Sequence, residues 1–229
     1  MGGTRPPRDL PGRSGSTPRP RVTTYSYDAA SRLTRIDRPN GTYRINEYDA
    51  AGQLRFIKDY HSNDTLLLFE EARYDADGRI TYQFQHPKPA AVNLPDDSLL
   101  YDADNRLSTW NSQTVTFDAD GNMTNGPLPT GTFGTYGYDS RNRLTGAGGS
   151  TYRYSPDGLR VEITGTGAAT FVVDPNAALS RTLIRTQGGS TTYYVYGLDL
   201  LYEETGGGIK TYHYDHLGNT VAMSKPNTS

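Results

Sequence analysis

Cysteine is absent from the 229 residues, which excludes disulfides, thiolate metal sites and cysteine nucleophiles. Long apolar runs are missing too. The longest of note, Leu66-Leu67-Leu68-Phe69, falls far short of the roughly 20 residues of a helical bilayer span, so no membrane span is expected. Only 34% of the chain is hydrophobic, thin for a thick two-layer core. Net charge is only −2, but it is unevenly placed. The first 22 residues hold five of the 23 basic residues (Arg5, Arg8, Arg13, Arg19, Arg21) and one of the 25 acids, Asp9, leaving 18 bases against 24 acids in the rest. An acidic body argues against a nucleic-acid partner. The basic, Pro/Gly-rich leader, residues 1–22, reads as disordered, as does a short tail, 224–229. The leader has arginines but no apolar stretch, so no signal peptide is visible.

What the chain does have is tyrosine, 18 of them, with 25 Gly and 14 Pro. Tyrosine buries a ring while keeping its hydroxyl near water, which suits half-exposed sheet faces. The tyrosines fall into a repeat. Tyr27-Asp28-Ala-Ala-Ser31-Arg32-Leu33 opens the series, and Tyr48-Asp49-Ala-Ala-Gly52-Gln53-Leu54 follows. Next come Tyr74-Asp75-Ala-Asp-Gly78-Arg79-Ile80, Tyr101-Asp102-Ala-Asp-Asn105-Arg106-Leu107 and Phe117-Asp118-Ala-Asp-Gly121-Asn122-Met123. Tyr138-Asp139-Ser-Arg-Asn142-Arg143-Leu144 is the sixth. Two variants close the series, Tyr154-Ser155-Pro-Asp-Gly158-Leu159-Arg160-Val161 and Tyr214-Asp215-His-Leu-Gly218-Asn219-Thr220-Val221, with a degenerate unit, Tyr194-Val-Tyr196-Gly197, between them.

Each position has a physical reason. The aromatic ends one strand. Asp, or Ser155 in one unit, accepts a hydrogen bond from a backbone N–H two residues on and starts a turn. Gly, Asn or Ser31 follows three residues later, where a type I turn needs a residue at positive φ. Ser31 tolerates that region least, so its turn is expected to be the least regular. An aliphatic then starts the return strand. Tyr-x-Tyr pairs at 25/27, 136/138, 152/154, 194/196 and 212/214 put two rings on one face. In the last two units the aliphatic falls one place later, at Val161 and Val221, which would turn it to the opposite face if the register slips.

The first six units start 21, 26, 27, 16 and 21 residues apart, room for two strands and a turn. The expected fold is all-β: a curved or spiralling antiparallel meander of about eight tandem hairpins over residues 23–223, with no helix. Two stretches, His86 through Asp97 and Gly126 through Gly131, read as loops that interrupt pairing.

The repeat resembles the Rhs/YD-repeat family of bacterial polymorphic-toxin cores, wall-associated proteins and teneurin-like YD shells. The resemblance covers roughly residues 22–223, and Tyr212-His213-Tyr214-Asp215-His216-Leu217-Gly218-Asn219-Thr220 looks especially close. It implies a spiralling sheet that encloses a C-terminal toxin or other polypeptide segment in a secreted or cell-surface protein. The chain departs from that plan, for no Asp-Pro cleavage motif follows Thr220, and its length suits a section of wall, a fragment of such a shell. Asp174-Pro175 stands alone and reads as a turn.

Other chemistry was weighed against this. Asp75–Gly78 and Asp118–Asn122 have acids at alternate positions, but Gly comes too early for an EF-hand loop. His213 and His216 flank Asp215, yet one lies on a strand and the other in a turn, so zinc is not expected. No Gly-x-Ser-x-Gly elbow appears, and neither an enzyme nor a cofactor is expected. The reading is a structural scaffold. Its alternative is a free-standing module that binds glycans or a protein through exposed tyrosines, since rings can stack on sugars.

Overall fold

The computed structural model describes residues 21–88, 96–177 and 179–225. Among these there is no helix, and so none long and apolar enough to cross a membrane. The chain instead forms three open antiparallel sheets in which sequential strands pair. The first contains β1 (Thr24–Tyr27), β2 (Leu33–Asp37), β3 (Tyr43–Tyr48), β4 (Leu54–Tyr60), β5 (Leu66–Tyr74) and β6 (Ile80–His86). The second is small: β7 (Leu99–Tyr101), β8 (Leu107–Trp110) and β9 (Gln113–Thr114). The third begins with β10 (Thr116–Phe117), β11 (Met123–Pro127), β12 (Phe133–Tyr138), β13 (Leu144–Ala147), β14 (Ser150–Tyr154) and β15 (Arg160–Gly165). It continues through β16 (Ala169–Asp174), β17 (Arg181–Gln187), β18 (Ser190–Tyr196), β19 (Leu200–Thr205), β20 (Gly208–Tyr214) and β21 (Thr220–Ser224).

The single meander expected from the sequence is therefore broken twice. One break follows β6, at the cis His86–Pro87 bond, where proline has no N–H to give a ladder. The heart of the expected loop there, residues 89–95, lies outside the described residues. The other break falls between β9 and β10 at Val115, which is buried and donates to Ser108 O on β8 at 2.9 Å. The second expected loop is not one. Gly126 and Pro127 are strand residues of β11 paired with β12, and Leu128–Thr132 makes an ordinary tight turn closed by Leu128 N–Thr132 O and Gly131 N–Leu128 O. The Gly-Pro-rich composition there serves turn geometry and leaves pairing intact.

One further expectation is corrected, and one open point is answered. Ser31 adopts φ 60°, and its turn has the same two backbone bonds as the others, Asp28 N–Arg32 O and Ser31 N–Asp28 O, both 3.0 Å. The Asp28 carboxylate holds the loop so firmly that the residue at the left-handed position need not be Gly. Nor does the register slip in the last units. Tyr154 pairs with Arg160 and Tyr214 with Thr220, the same six-residue span as Tyr48 with Leu54. The backbone is unchanged, and only the side chain carried at that place differs.

The interior is more polar than apolar. Buried hydrophobic residues are Ile57, Leu68, Ala72, Val115, Ala169, Tyr202 and Ile209. Buried polar ones are Arg38, Asn40, Thr42, Arg44, Asn46, Asp59, Glu70, Thr211, His213 and Ser224. Most lie on one face of β3, β4 and β5, where burial alternates along each strand, and on the matching face of β20. The two ends of the described array therefore pack together, and the array bends back on itself. Ser224, where the tail was expected to begin, is the last residue of β21 and is buried. Arg21, assigned to the leader, reaches Glu204 at 2.7 Å.

Candidate functional site

The repeat-defining residues build one recurring joint. Asp28, Asp75, Asp102, Asp118, Asp139 and Asp215 each accept, through Oδ1, the N–H groups two and four residues on, at 2.8 to 3.0 Å. Asp49 accepts from Gln53 N, and Ser155 Oγ from Leu159 N. The residue four on returns the contact to Oδ2 with its side chain: Arg32, Arg106, Arg143, Asn122 and Asn219. The Arg143 hydrogen bond, aided by backbone donors, holds the Asp139 carboxyl down to about 2. Gly52, Gly78, Gly121, Gly158 and Gly218 occupy the left-handed position, with φ from 80° to 85°.

Four of the joints also reach their neighbour. Tyr48 donates its hydroxyl to Leu33 O at 2.9 Å, Tyr74 to Leu54 O at 2.8 Å, Tyr154 to Leu144 O at 2.8 Å and Tyr214 to Leu200 O at 2.6 Å. In the first three the acceptor is the aliphatic of the preceding unit, and in the last it is Leu200, which pairs with Tyr196 of the degenerate unit. The basic residue of a preceding unit lies over the next ring: Arg32 over Tyr48 at 4.6 Å, Arg106 over Phe117 at 5.5 Å and Arg143 over Tyr154 at 4.9 Å. Tyr27, the first, and Tyr101, on the small sheet, remain more than half exposed. Phe117 lacks the hydroxyl, so its unit keeps the turn without this stitch.

Where the ends meet, the buried polar residues form a clasp. Asp59 on β4, fully buried, accepts from Arg38 at 2.8 Å and from Arg44 at 2.6 Å. His213 on β20, also fully buried, places Nδ1 3.3 Å from Asp59 Oδ1 and Nε2 2.7 Å from Ser224 Oγ. Asn40 donates to Ser224 Oγ at 3.0 Å. Arg44 donates to Tyr214 O, and Glu70 on β5 takes both the backbone N–H of His216, at 3.0 Å, and its ring Nδ1. Burial pushes the Asp59 carboxyl up, but His213 and the two guanidiniums outweigh it and hold the group far below the carboxylate range. Burial pushes His213 down, against the pull of Asp59, and the ring stays below its ordinary value.

The RHS Repeat family model matches residues 16–43, which include the first Tyr-Asp unit. Residues 16–43 thus match an RHS repeat. No curated protein sequence matches it. Among solved structures, the Photorhabdus luminescens Tc holotoxin pore with a TccC3 mutation is similar over 90% of this chain and 16% of its own, at 16% identity and TM-score 0.37. The crystal structure of TcdB2-TccC3 without the hypervariable C-terminal region gives the same identity, coverage and TM-score. The chain thus spans about a sixth of the length of those chains.

The sequence signal locates the turn, while the stitch to the preceding unit went unread. Its trace was present in the long or charged residue before each aliphatic. The alternating acids weighed for calcium are used otherwise, since Asp75 and Asp118 spend Oδ1 on their own backbone. His213 and His216 do not converge but turn to Asp59 and Glu70 respectively. No group of three metal-ligating side chains occurs among the described residues. Asp174 Oδ1 accepts Asn176 N at 2.9 Å, a turn.

Sequence reasoning missed Asp59 and Ser224 and weighed His213 only for zinc, yet the three stand in the order of a hydrolase triad. Three features set them apart from one. Two arginines occupy the carboxylate that would have to orient the imidazole. Nδ1 makes no hydrogen bond despite its nearness to Asp59. Ser224 is only 5% exposed and already accepts from Asn40, so an incoming carbonyl has no approach to Oγ. The arrangement suits holding two sheets together.

Proposed function

We propose that this chain is a structural scaffold, a section of the wall of a YD-repeat shell. The observation that carries this reading is the stitch between units. Tyrosine hydroxyls and arginine planes are spent on the neighbouring repeat, and the turn carboxylates on their own turn. The clasp supports it further, since it draws the ends of the array together around a buried polar interior. In a longer secreted or cell-surface protein such a wall would enclose or present a toxin or other polypeptide segment.

The glycan-binding alternative needs a platform of exposed rings. Tyr27, Tyr82, Tyr101 and Tyr193 are the exposed tyrosines, but they sit on β1, β6, β7 and β18, with no two on adjacent strands. That distribution favours the wall.

The test is protease protection. The reading frame is first sequenced beyond both ends, and the longer product is purified. A segment adjoining the array that resists protease under native conditions, and yields once the array is unfolded, supports enclosure. Cleavage as fast as that of the same segment expressed alone would remove it, and a glycan screen would then take precedence.

A further inference from the structure

Strand β6 is the outermost strand of the first sheet, and among the described residues nothing pairs with its outer edge. It is also the longest such edge, at 7 residues against 4 in β1, 5 in β21, 3 in β7 and 2 each in β9 and β10. Edge strands that face water are normally blunted by charge, proline or a bulge in mid-strand. Ile80-Thr81-Tyr82-Gln83-Phe84-Gln85-His86 has no Lys, Arg, Asp or Glu, and apart from a bulge at Thr81, near its start, its pairing with β5 is regular from Tyr82 to His86. The strands behind it are charged: Glu70, Glu71 and Arg73 on β5, and Arg55, Lys58 and Asp59 on β4.

One face of β6 presents Tyr82 and Phe84, 42 and 40% exposed. A row of aromatic rings runs into it across three strands, Phe56 to Phe69 at 5.8 Å and Phe69 to Phe84 at 6.0 Å, and stops at the open edge. We propose that β6 is a strand-addition interface for a second copy of this chain, paired antiparallel about a two-fold axis through Gln83.

The sequence of the strand selects this partner. With Gln83 opposite itself, Tyr82 stands across from Phe84 of the second copy, and the bulged Thr81 lies beside Gln85 at the end of the contact. Aromatic meets aromatic on one face, and the row is carried over into the other molecule. Amide meets amide at the axis on the other face. No charge is left unpaired in the contact, and an isologous interface needs a surface that is its own complement.

The absence of cysteine makes the register directly testable. Directly opposed residues in an antiparallel pair have Cα atoms about 4.5–5.5 Å apart, within reach of a disulfide. Gln83→Cys is expected to form a covalent dimer on mild oxidation. Thr81→Cys and Gln85→Cys are each expected to stay monomeric on the same gel, while their mixture cross-links. By sedimentation, the unaltered chain is expected to show a concentration-dependent dimer. The double change Thr81→Lys with Gln85→Lys, which sets like charges opposite each other, should weaken it at least about tenfold with the circular dichroism spectrum unchanged. A monomer at every concentration overturns the proposal. So does a dimer in which Gln83→Cys fails to cross-link, or one in which Thr81→Cys alone cross-links equally well. Should the lysine variant misfold, the cysteine pattern decides.

Discussion

The hydroxyl of Tyr74 donates to the carbonyl oxygen of Leu54, 2.8 Å away and one repeat earlier. The bond explains why the repeat prefers tyrosine to phenylalanine at a position where either ring would cover the sheet. Tyr74→Phe keeps the ring and leaves the Leu54 carbonyl without that donor. A loss of about 1 kcal/mol is expected, read as a lower urea midpoint. Tyr27→Phe, at the exposed opening unit, should leave the midpoint where it is.

Asp59 is the hinge of the clasp. Asp59→Ala removes the acceptor shared by Arg38 and Arg44 and leaves two guanidiniums buried without a counter-charge. Breaking a buried pair in this way costs about 3–5 kcal/mol. Hydrogen exchange should locate the loss, with amides of β20 and β21 opening first and those of β16 and β17 keeping their protection. Uniform loss across the array would show that the clasp is not a separate unit.

Acid should loosen the same joint in two stages. The folded chain holds His213 below its ordinary value of 6.5, so the unfolded chain takes up that proton first as pH falls. Stability present above about 6.5 therefore declines below it. Asp59 and the turn carboxylates Asp28, Asp102, Asp118 and Asp139 are also depressed, from an ordinary 3.8. Their share is lost as pH falls below that value. His213→Gln should flatten the first stage and leave the second, in denaturation curves taken from pH 8 to 3.

Gly121 isolates the backbone contribution of a turn. Its φ is 85°, and a Cβ added there meets no other atom within 4 Å. Gly121→Ala is therefore opposed by conformation alone and should lose about 1–2 kcal/mol. Gly121→Asn should lose less, because Asn already occupies this place as Asn105 and Asn142, at φ 60° and 58°. Equal losses for Ala and Asn would show that the local hydrogen bonds, and not the dihedral, decide.

The turns were legible because their cause is local. An Asp and a Gly three residues apart carry most of the instruction, and all-β architecture without helices follows from the spacing of the tyrosines. The aliphatic shift to Val161 and Val221 misled, since side-chain pattern changed while the backbone span between Tyr154 and Arg160 did not. The clasp was illegible for the opposite reason. Its partners lie 146 to 184 residues apart, as in Glu70 with His216 and Asn40 with Ser224. Arg44, Asp59 and Glu70 also read as solvent-facing positions, because a strand that alternates charge and apolar residues normally buries the apolar ones. Here both kinds lie on the buried face, with Ile57 beside Asp59 and Leu68 beside Glu70.

The joining of the two ends also bears on how fast the molecule is made. Hairpins linked only to their neighbours have low contact order and assemble rapidly, starting anywhere. Contacts such as Asn40 with Ser224, separated by 184 residues, belong to another regime, in which a long stretch of chain is closed into a ring. The entropy of that closure rises only with the logarithm of loop length. Early folding is then indifferent to the number of units between the ends, and the final ordering of β20 and β21 waits for the whole circuit, slowing only slightly as units are added.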